Sequence, residues 1–163
     1  YYLIENFSFI KPKITFIFLS LFIIYFLFNF LLITPYQYTY LNLLNGKIEN
    51  RYKKFENDYW GSSIKELIKY ADFKKDETLK MATCGINPKI PKSYLKKKGY
   101  FNLDFVPINE AKYIIMTNRV VLDNKKNKEL KFTNCFDKFI GDDIFQVKKN
   151  GLLLSVIRKK NKN

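Results

Sequence analysis

The chain has 163 residues, 29 Lys+Arg against 15 Asp+Glu, and a formal charge of +14 with no histidine. The missing histidine removes the commonest general base and metal ligand at once. Only Arg51, Arg119 and Arg158 are arginines. Arginine makes the bidentate phosphate and base contacts, so the lysine excess does not read as a nucleic-acid surface. Lysine, Asn, Ile, Phe and Tyr are abundant and alanine is scarce, the usage of an AT-rich coding sequence, and this leaves attraction to anionic lipid headgroups as the partner the charge alone allows.

The first residues, "YYLIENFSFI", are apolar and aromatic before a first charge at Glu5. Residues 1–13 are therefore expected to be a cytoplasmic loop or the end of a preceding helix, which would make the chain the tail of a polytopic protein. From Ile14 to Ile33, "ITFIFLSLFIIYFLFNFLLI", no residue is charged. At the helical rise this run spans roughly 30 Å, the hydrocarbon thickness of a bilayer. A secretory signal would be shorter and end in a small-residue cleavage site, which "LLITPYQY" lacks. Residues 14–34 are expected to be a transmembrane helix. Lys11 and Lys13 precede it and the first charge after it is Lys47, which places the N-terminal flank in the cytoplasm and everything after Thr34 outside. Tyr25 and Asn29 lie four apart on one stripe, a pair suited to a neighbouring helix; a single-pass anchor that tolerates one Asn is the alternative.

Residues 35–60 read as an interfacial helix and a junction. Thr34 is a candidate N-cap, Pro35 a candidate first helical residue and Gly46 a candidate stop. Tyr36, Tyr40, Leu43 and Leu44 share one helical face while Tyr38, Asn42 and Asn45 share another, so rings can sit at headgroup depth with amides in water. Residues 61–163 read as a small α/β domain. Ser63 and Glu66 form a capping-box pattern before Ile64, Leu67 and Ile68, with the helix ending near Ala71. "TLKMATC", "FNLDFV" and "KYIIMTN" read as strands with a weak helix at "KSYLKKK", and "IFQVKKNGLLLSVIRKK" reads as a hairpin about Asn150-Gly151. "VVLDNKKNKELKFTN" reads as a loop or an edge region. The fold class is thus membrane α plus α/β.

No phosphate loop, nucleophile elbow or zinc-ligand spacing is present. Cys84 and Cys135 are too distant for a C-x-x-C pair. Two buried free thiols are expected, with a disulfide the alternative for a domain outside the cytoplasm. Asp142-Asp143 reads as a turn before a strand rather than a cation site. Asp58 precedes a helix N-terminus, where a carboxylate is favoured, and Trp60, the only tryptophan, reads as an interface or core anchor. Trp60 is expected to be covered, with its indole N–H paired.

"TPYQYTYLN" followed by "GKIENRYKKFENDYWGSSIKEL" resembles the C-terminal segment of membrane glycosyltransferases related to the protein mannosyltransferases and the aminoarabinose transferases. In bacterial members of that family a last transmembrane helix runs into "HPYQYxYFN" and then "FExDYWGxSxKE". The likeness covers Thr34–Leu67, and "GLLLSVIR" is similar to the family's closing strand; Thr34 stands where histidine is usual and Leu41 where phenylalanine is. The resemblance implies transfer of a sugar from a polyprenyl-phosphate donor on the outer face of the bacterial inner membrane, with the catalytic carboxylate in the first outer loop, outside this chain. It carries over no catalytic residue here, and although the parent's cofactor and metal dependence are open, no metal or cofactor is expected to be bound by the fragment. It makes Tyr36, Gln37, Tyr38, Tyr40, Asn42, Asp58, Tyr59, Trp60 and Gly61 candidates for a substrate-binding or packing junction. The expected partners are the bilayer, further transmembrane helices of the parent protein and a polyprenyl-phosphate sugar. A single-pass anchored binding or interaction module, and a tethered basic module for anionic polymers, are the competing readings.

Overall fold

The computed structural model describes residues 12–36, 47, 51–54, 56, 58, 60–123 and 131–161. The chain divides into two compact units, Tyr1–Tyr40 and Leu41–Asn163.

Among its described residues the first unit holds the helix α1 (Pro12–Ile33). Its stretch Lys13–Leu32 is long and apolar enough to cross a membrane. Phe16, Phe18, Leu21, Phe22, Ile24, Phe28 and Leu31 are all exposed on it, so the helix is apolar all round, a pattern that water does not favour and lipid does. The Asn29 side-chain amide donates to the Tyr25 carbonyl at 2.8 Å, so this polar group finds a partner one turn back in its own helix. Thr34 does not start a new helix as its sequence context suggested. Its backbone N–H donates to Leu31 O at 3.1 Å and its hydroxyl to Phe30 O at 3.3 Å, so it closes the end of α1, and Thr34 and Pro35 form a turn joined by a cis bond. The rest of the expected interfacial helix, 37–46, lies outside the described residues.

The second unit contains α2 (Arg51–Lys54), α3 (Ile64–Tyr70), β1 (Leu79–Cys84), α4 (Lys89–Lys97), β2 (Leu103–Phe105), β3 (Tyr113–Thr117), β4 (Val120–Asp123), β5 (Lys131–Asn134), α5 (Cys135–Lys138), β6 (Gly141–Lys149) and β7 (Leu152–Lys160). Five strands form a mixed sheet in the order β2-β1-β3-β7-β6. β1 pairs in parallel with β2 and β3, whereas β7 pairs antiparallel with β3 and β6. β1, α4 and β2 therefore make a parallel crossover, with the helix between the two strands where the sequence placed it.

β3 explains the two-sided core. Ile114, Ile115, Met116 and Thr117 are buried in succession, the continuous burial of a central strand covered on both faces. Ile114, Met116 and Val156 pack with Cys84, Cys135 and Phe136 on one face. Ile115 and Ile157, neighbours across β3 and β7, lie on the other, where α3 supplies buried Ile64, Leu67 and Ile68 and α4 supplies Leu95. Each fully buried aliphatic side chain contributes about 1.5–3 kcal/mol relative to exposure, so this doubly covered strand is the main source of cohesion. Asn150 and Gly151 have φ of 48° and 79°, the two positive values that a type I′ hairpin demands and that Asn-Gly adopts most readily.

Three expectations are corrected. Residues 120–134 carry a two-stranded antiparallel ladder, β4 with β5, from Val120↔Asn134 to Asp123↔Lys131. Asp142 and Asp143 are strand residues of β6 rather than a turn; Asp143 is held there because Arg158 on β7 donates to both its carboxylate oxygens, at 2.5 and 3.2 Å. The same guanidinium donates to the carbonyls of Phe136 and Phe139, fastening the end of α5 to the sheet. The two thiols are not free. Cys84 and Cys135 form a disulfide with a Cα–Cα distance of 5.7 Å, since Cys84 ends β1 and the Cys135 N–H donates to Arg119 O just past β3 at 2.9 Å.

Candidate functional site

The segment from Asp58 to Ser63 is the best-defined of the sequence candidates. Asp58 is completely buried. One carboxylate oxygen accepts the Ser62 N–H at 2.9 Å, and the other accepts the Ser63 N–H at 3.3 Å and the Ser63 hydroxyl. Ser63 Oγ in turn shares a 2.6 Å hydrogen bond with Ser155 Oγ on β7. The cap of α3 is therefore Asp58, not the box of Ser63 and Glu66. Ser63 sits in helical geometry with no side-chain cap of its own, and Glu66 reaches Lys149 on β6 at 2.9 Å instead. Two acceptor atoms facing unpaired N–H groups at a helix start satisfy donors that would otherwise lack partners, and the helix dipole adds to the attraction.

Gly61 completes this turn. Its φ is +65° and a Cβ there would collide with the Ile86 side chain, so both the backbone and the neighbour call for glycine. Trp60 departs from expectation: it is 78 % exposed. The turn between Asp58 and Gly61, closed by Gly61 N–H on Asp58 O at 3.0 Å, carries the indole away from the core rather than into it. Of the remaining candidates, Tyr36 belongs to the first unit, and Gln37, Tyr38, Tyr40, Asn42 and Tyr59 lie outside the described residues. Tyr52 and Glu56, from the expected junction, bond within the second unit. Tyr52 packs on the Phe136 ring and donates to Asp137 at 3.1 Å, and Glu56 accepts the Val120 N–H at 2.7 Å. Burial and the Asp137 carboxylate raise the Tyr52 pKa above its usual value.

In open α/β sheets ligands collect beyond the carboxyl ends of parallel strands, where neighbouring connections diverge. Here that place follows β1 and β3, and protein atoms fill it. The Gly85 Cα faces Thr117 Oγ1 and Arg119 Cβ so closely that an added Cβ would lie 2.7 and 2.8 Å from them, with the Cys135 sulfur at 3.2 Å. Thr117 donates to Gly85 O at 3.1 Å, and Asn134 donates to Asn118 at 2.6 Å while accepting Phe136 N–H at 3.0 Å. Among the described residues there is no group of three or more His, Cys, Asp or Glu side chains placed to hold a metal ion.

Two surface clefts stand out among the described residues. One, of about 400 Å³, includes Asp72, Phe73, Glu77, Lys112, Tyr113 and Phe145. Lys112 there meets Glu77 at 3.1 Å, and that hydrogen bond lowers the Glu77 pKa and raises that of Lys112. The other, of about 490 Å³, lies between α3 and α4 and is lined by Lys65, Ile68, Lys69, Tyr94, Lys97 and Lys98. The sequence held its signal in lysines one helical turn apart, but a lysine-rich composition hid it. Comparison with protein-family models, curated proteins and solved structures returned no match.

Proposed function

We propose that the chain is the C-terminal part of a membrane glycosyltransferase that moves a sugar from a polyprenyl-phosphate donor to an acceptor on the outer face of the membrane. In this reading α1 is the last helix of a polytopic bundle, the second unit lies outside the cytoplasm, and the catalytic carboxylate belongs to a part of the protein outside these residues. The observation that carries it is the Asp58–Ser63 turn: within the segment resembling that family, Asp58, Gly61 and Ser63 each occupy a position whose geometry calls for that residue type. The Cys84–Cys135 disulfide supports an oxidising, non-cytoplasmic location, and the closed carboxyl ends of β1 and β3 fit a domain that supports chemistry done elsewhere.

The test is sugar transfer in vitro from a polyprenyl-phosphate sugar, by the whole parent protein and by the 163-residue chain alone. Transfer by the first and none by the second is expected; transfer by the chain alone overturns the assignment. Labelling of introduced cysteines in intact cells checks the orientation, with Lys125→Cys expected to react from outside and Lys11→Cys not.

A second reading, a single-pass anchored α/β binding or interaction module without catalysis, is favoured by one observation: the Asn29 amide finds a hydrogen-bond acceptor within α1 itself, on the Tyr25 carbonyl. Absence of any transfer by the whole protein, with the second unit outside, would decide for it.

A further inference from the structure

We propose that the cleft between α3 and α4 is a binding site for a phosphate-bearing ligand, one or two phosphate groups carrying an organic substituent. The inference stands on these two helices alone and does not depend on the glycosyltransferase reading.

The lysines lining the cleft divide into two kinds. Lys98 is structural: its ammonium donates to the carbonyls of Ile68, Lys69 and Ala71, at 3.2 and 2.9 Å for the first two, and so closes the C-terminal end of α3. Lys65, Lys69 and Lys97 are exposed, and among the described residues no carboxylate lies within ion-pair distance of any of them. The nearest acid in sequence, Glu66, pairs with Lys149 on β6 at 2.9 Å. Lys69 and Lys97 sit in the last turns of their helices, where the dipole favours a cation, but Lys65 sits in the first turn of α3, where it does not. Helix electrostatics, with the Tyr70 and Tyr94 rings under their ammoniums, account for Lys69 and Lys97 but not for Lys65, and a shared anion would account for all three together.

The shape of the cleft narrows the class. The cleft is an open groove of about 490 Å³, within the roughly 300 to 1,000 Å³ of small-molecule sites. Lysine ammoniums are compact point charges that suit the several oxygens of a phosphate without demanding the planar fork geometry of arginine. Ile68, buried at the floor, and the half-buried Tyr94 ring offer an apolar surface to the substituent. A free phosphate compound and a lipid headgroup present the same chemistry here.

The experiment uses the full chain in uncharged detergent micelles at fixed ionic strength. It is titrated calorimetrically with inorganic pyrophosphate and, separately, with short-chain phosphatidic acid. The triple variant Lys65→Gln, Lys69→Gln, Lys97→Gln is compared with Lys53→Gln, Lys89→Gln, Lys148→Gln, which removes the same charge from exposed positions elsewhere. Pulse proteolysis verifies that both variants remain folded. The cleft variant is expected to weaken binding at least about tenfold while the control changes it less than about threefold, since exposed charges act mainly over a Debye length. Such a loss for pyrophosphate assigns the site to free phosphate compounds, and a loss confined to phosphatidic acid assigns it to a lipid headgroup. Equal losses in the two variants, or no binding of either probe to the unaltered chain, overturn the proposal.

Discussion

Replacing Asp58 by alanine is the sharpest test of whether the aspartate is structural. The substitution leaves the Ser62 and Ser63 N–H groups without their acceptor and takes away one partner of a buried hydroxyl. Losing a side-chain cap costs about 0.5–2 kcal/mol. A buried polar group left unsatisfied costs about 1–3 kcal/mol, although Ser63 can keep its bond to Ser155 and so falls at the lower end. The sum is about 1.5–3 kcal/mol, a large part of the roughly 5–15 kcal/mol by which a domain is stable. Asp58→Asn keeps the shape but turns an amide N–H₂ toward donors, so it should lie between wild type and Asp58→Ala. Pulse proteolysis across a urea series, with the full chain in uncharged detergent, reads the change. A cycle with Ser63→Ala should show coupling of about 0.5–3 kcal/mol, as expected of residues in one network. A loss below about 0.5 kcal/mol for Asp58→Ala, together with loss of sugar transfer by the parent protein, would refute the structural role and make Asp58 a site residue.

Gly61→Ala should destabilise the second unit by about 1–3 kcal/mol in the same assay, from forcing a left-handed backbone on alanine and displacing Ile86; an unchanged midpoint would count against the turn as described. Removing the Cys84–Cys135 bridge, as the double alanine variant or by reduction, should cost about 4 kcal/mol on the chain-entropy account for its separation of 51 residues, and a change under about 1 kcal/mol would show that the bond does not form. Tyr100 accepts the Phe73 N–H at 2.9 Å and donates to Asp72 at 3.2 Å, and burial raises its pKa above 10.0. A group whose folded pKa is raised contributes stability that is complete below its unfolded pKa and lost as pH rises through the folded one, so stability should fall above about pH 10, and Tyr100→Phe should flatten that fall.

Local signals announced the elements of the second unit well. Alternating Leu79, Met81 and the buried run of β3 fixed strands, and Asn150-Gly151 fixed the closing turn, because period and turn chemistry act over a few residues. What stayed hidden were long-range partners. Nothing near Ser63 shows that Asp58 will reach over the turn to cap α3, and the capping box looked complete without it. Nothing near Asp143 shows Arg158, which lies 15 residues on and holds its carboxylate from the facing strand. The charged stretch around β4 and β5 read as a loop or an edge region because its pairing depends on Asn134 lying opposite Val120. The cysteines could not be joined on paper because only the pairing of β1 with β3 brings the end of β1 toward Cys135. For the candidate site the motif was legible as a motif, but the division of labour within it was not.

That division yields the last prediction, on Trp60. An aromatic ring between a buried aspartate and a glycine suggests an anchor, and by that logic Trp60→Ala should harm folding more than Asp58→Asn. The geometry reverses the order. With 78 % of the residue in water, truncation removes little buried surface, and exposed substitutions away from special backbone positions stay within about 0.5 kcal/mol. The urea midpoint of Trp60→Ala should therefore match wild type, while that of Asp58→Asn falls. A Trp60→Ala midpoint lower than that of Asp58→Asn would mean that the indole packs against the unit after all, and the turn geometry would be wrong. If the midpoint holds and sugar transfer by the parent protein drops, the ring acts outside the fold of its own unit. An exposed tryptophan suits such a role, since its ring offers a large apolar face and an N–H donor at little cost in side-chain entropy. A variant carrying Trp60→Phe separates the two properties: it keeps the face and loses the donor, so recovery of transfer would assign the role to apolar contact and continued loss would assign it to the hydrogen bond.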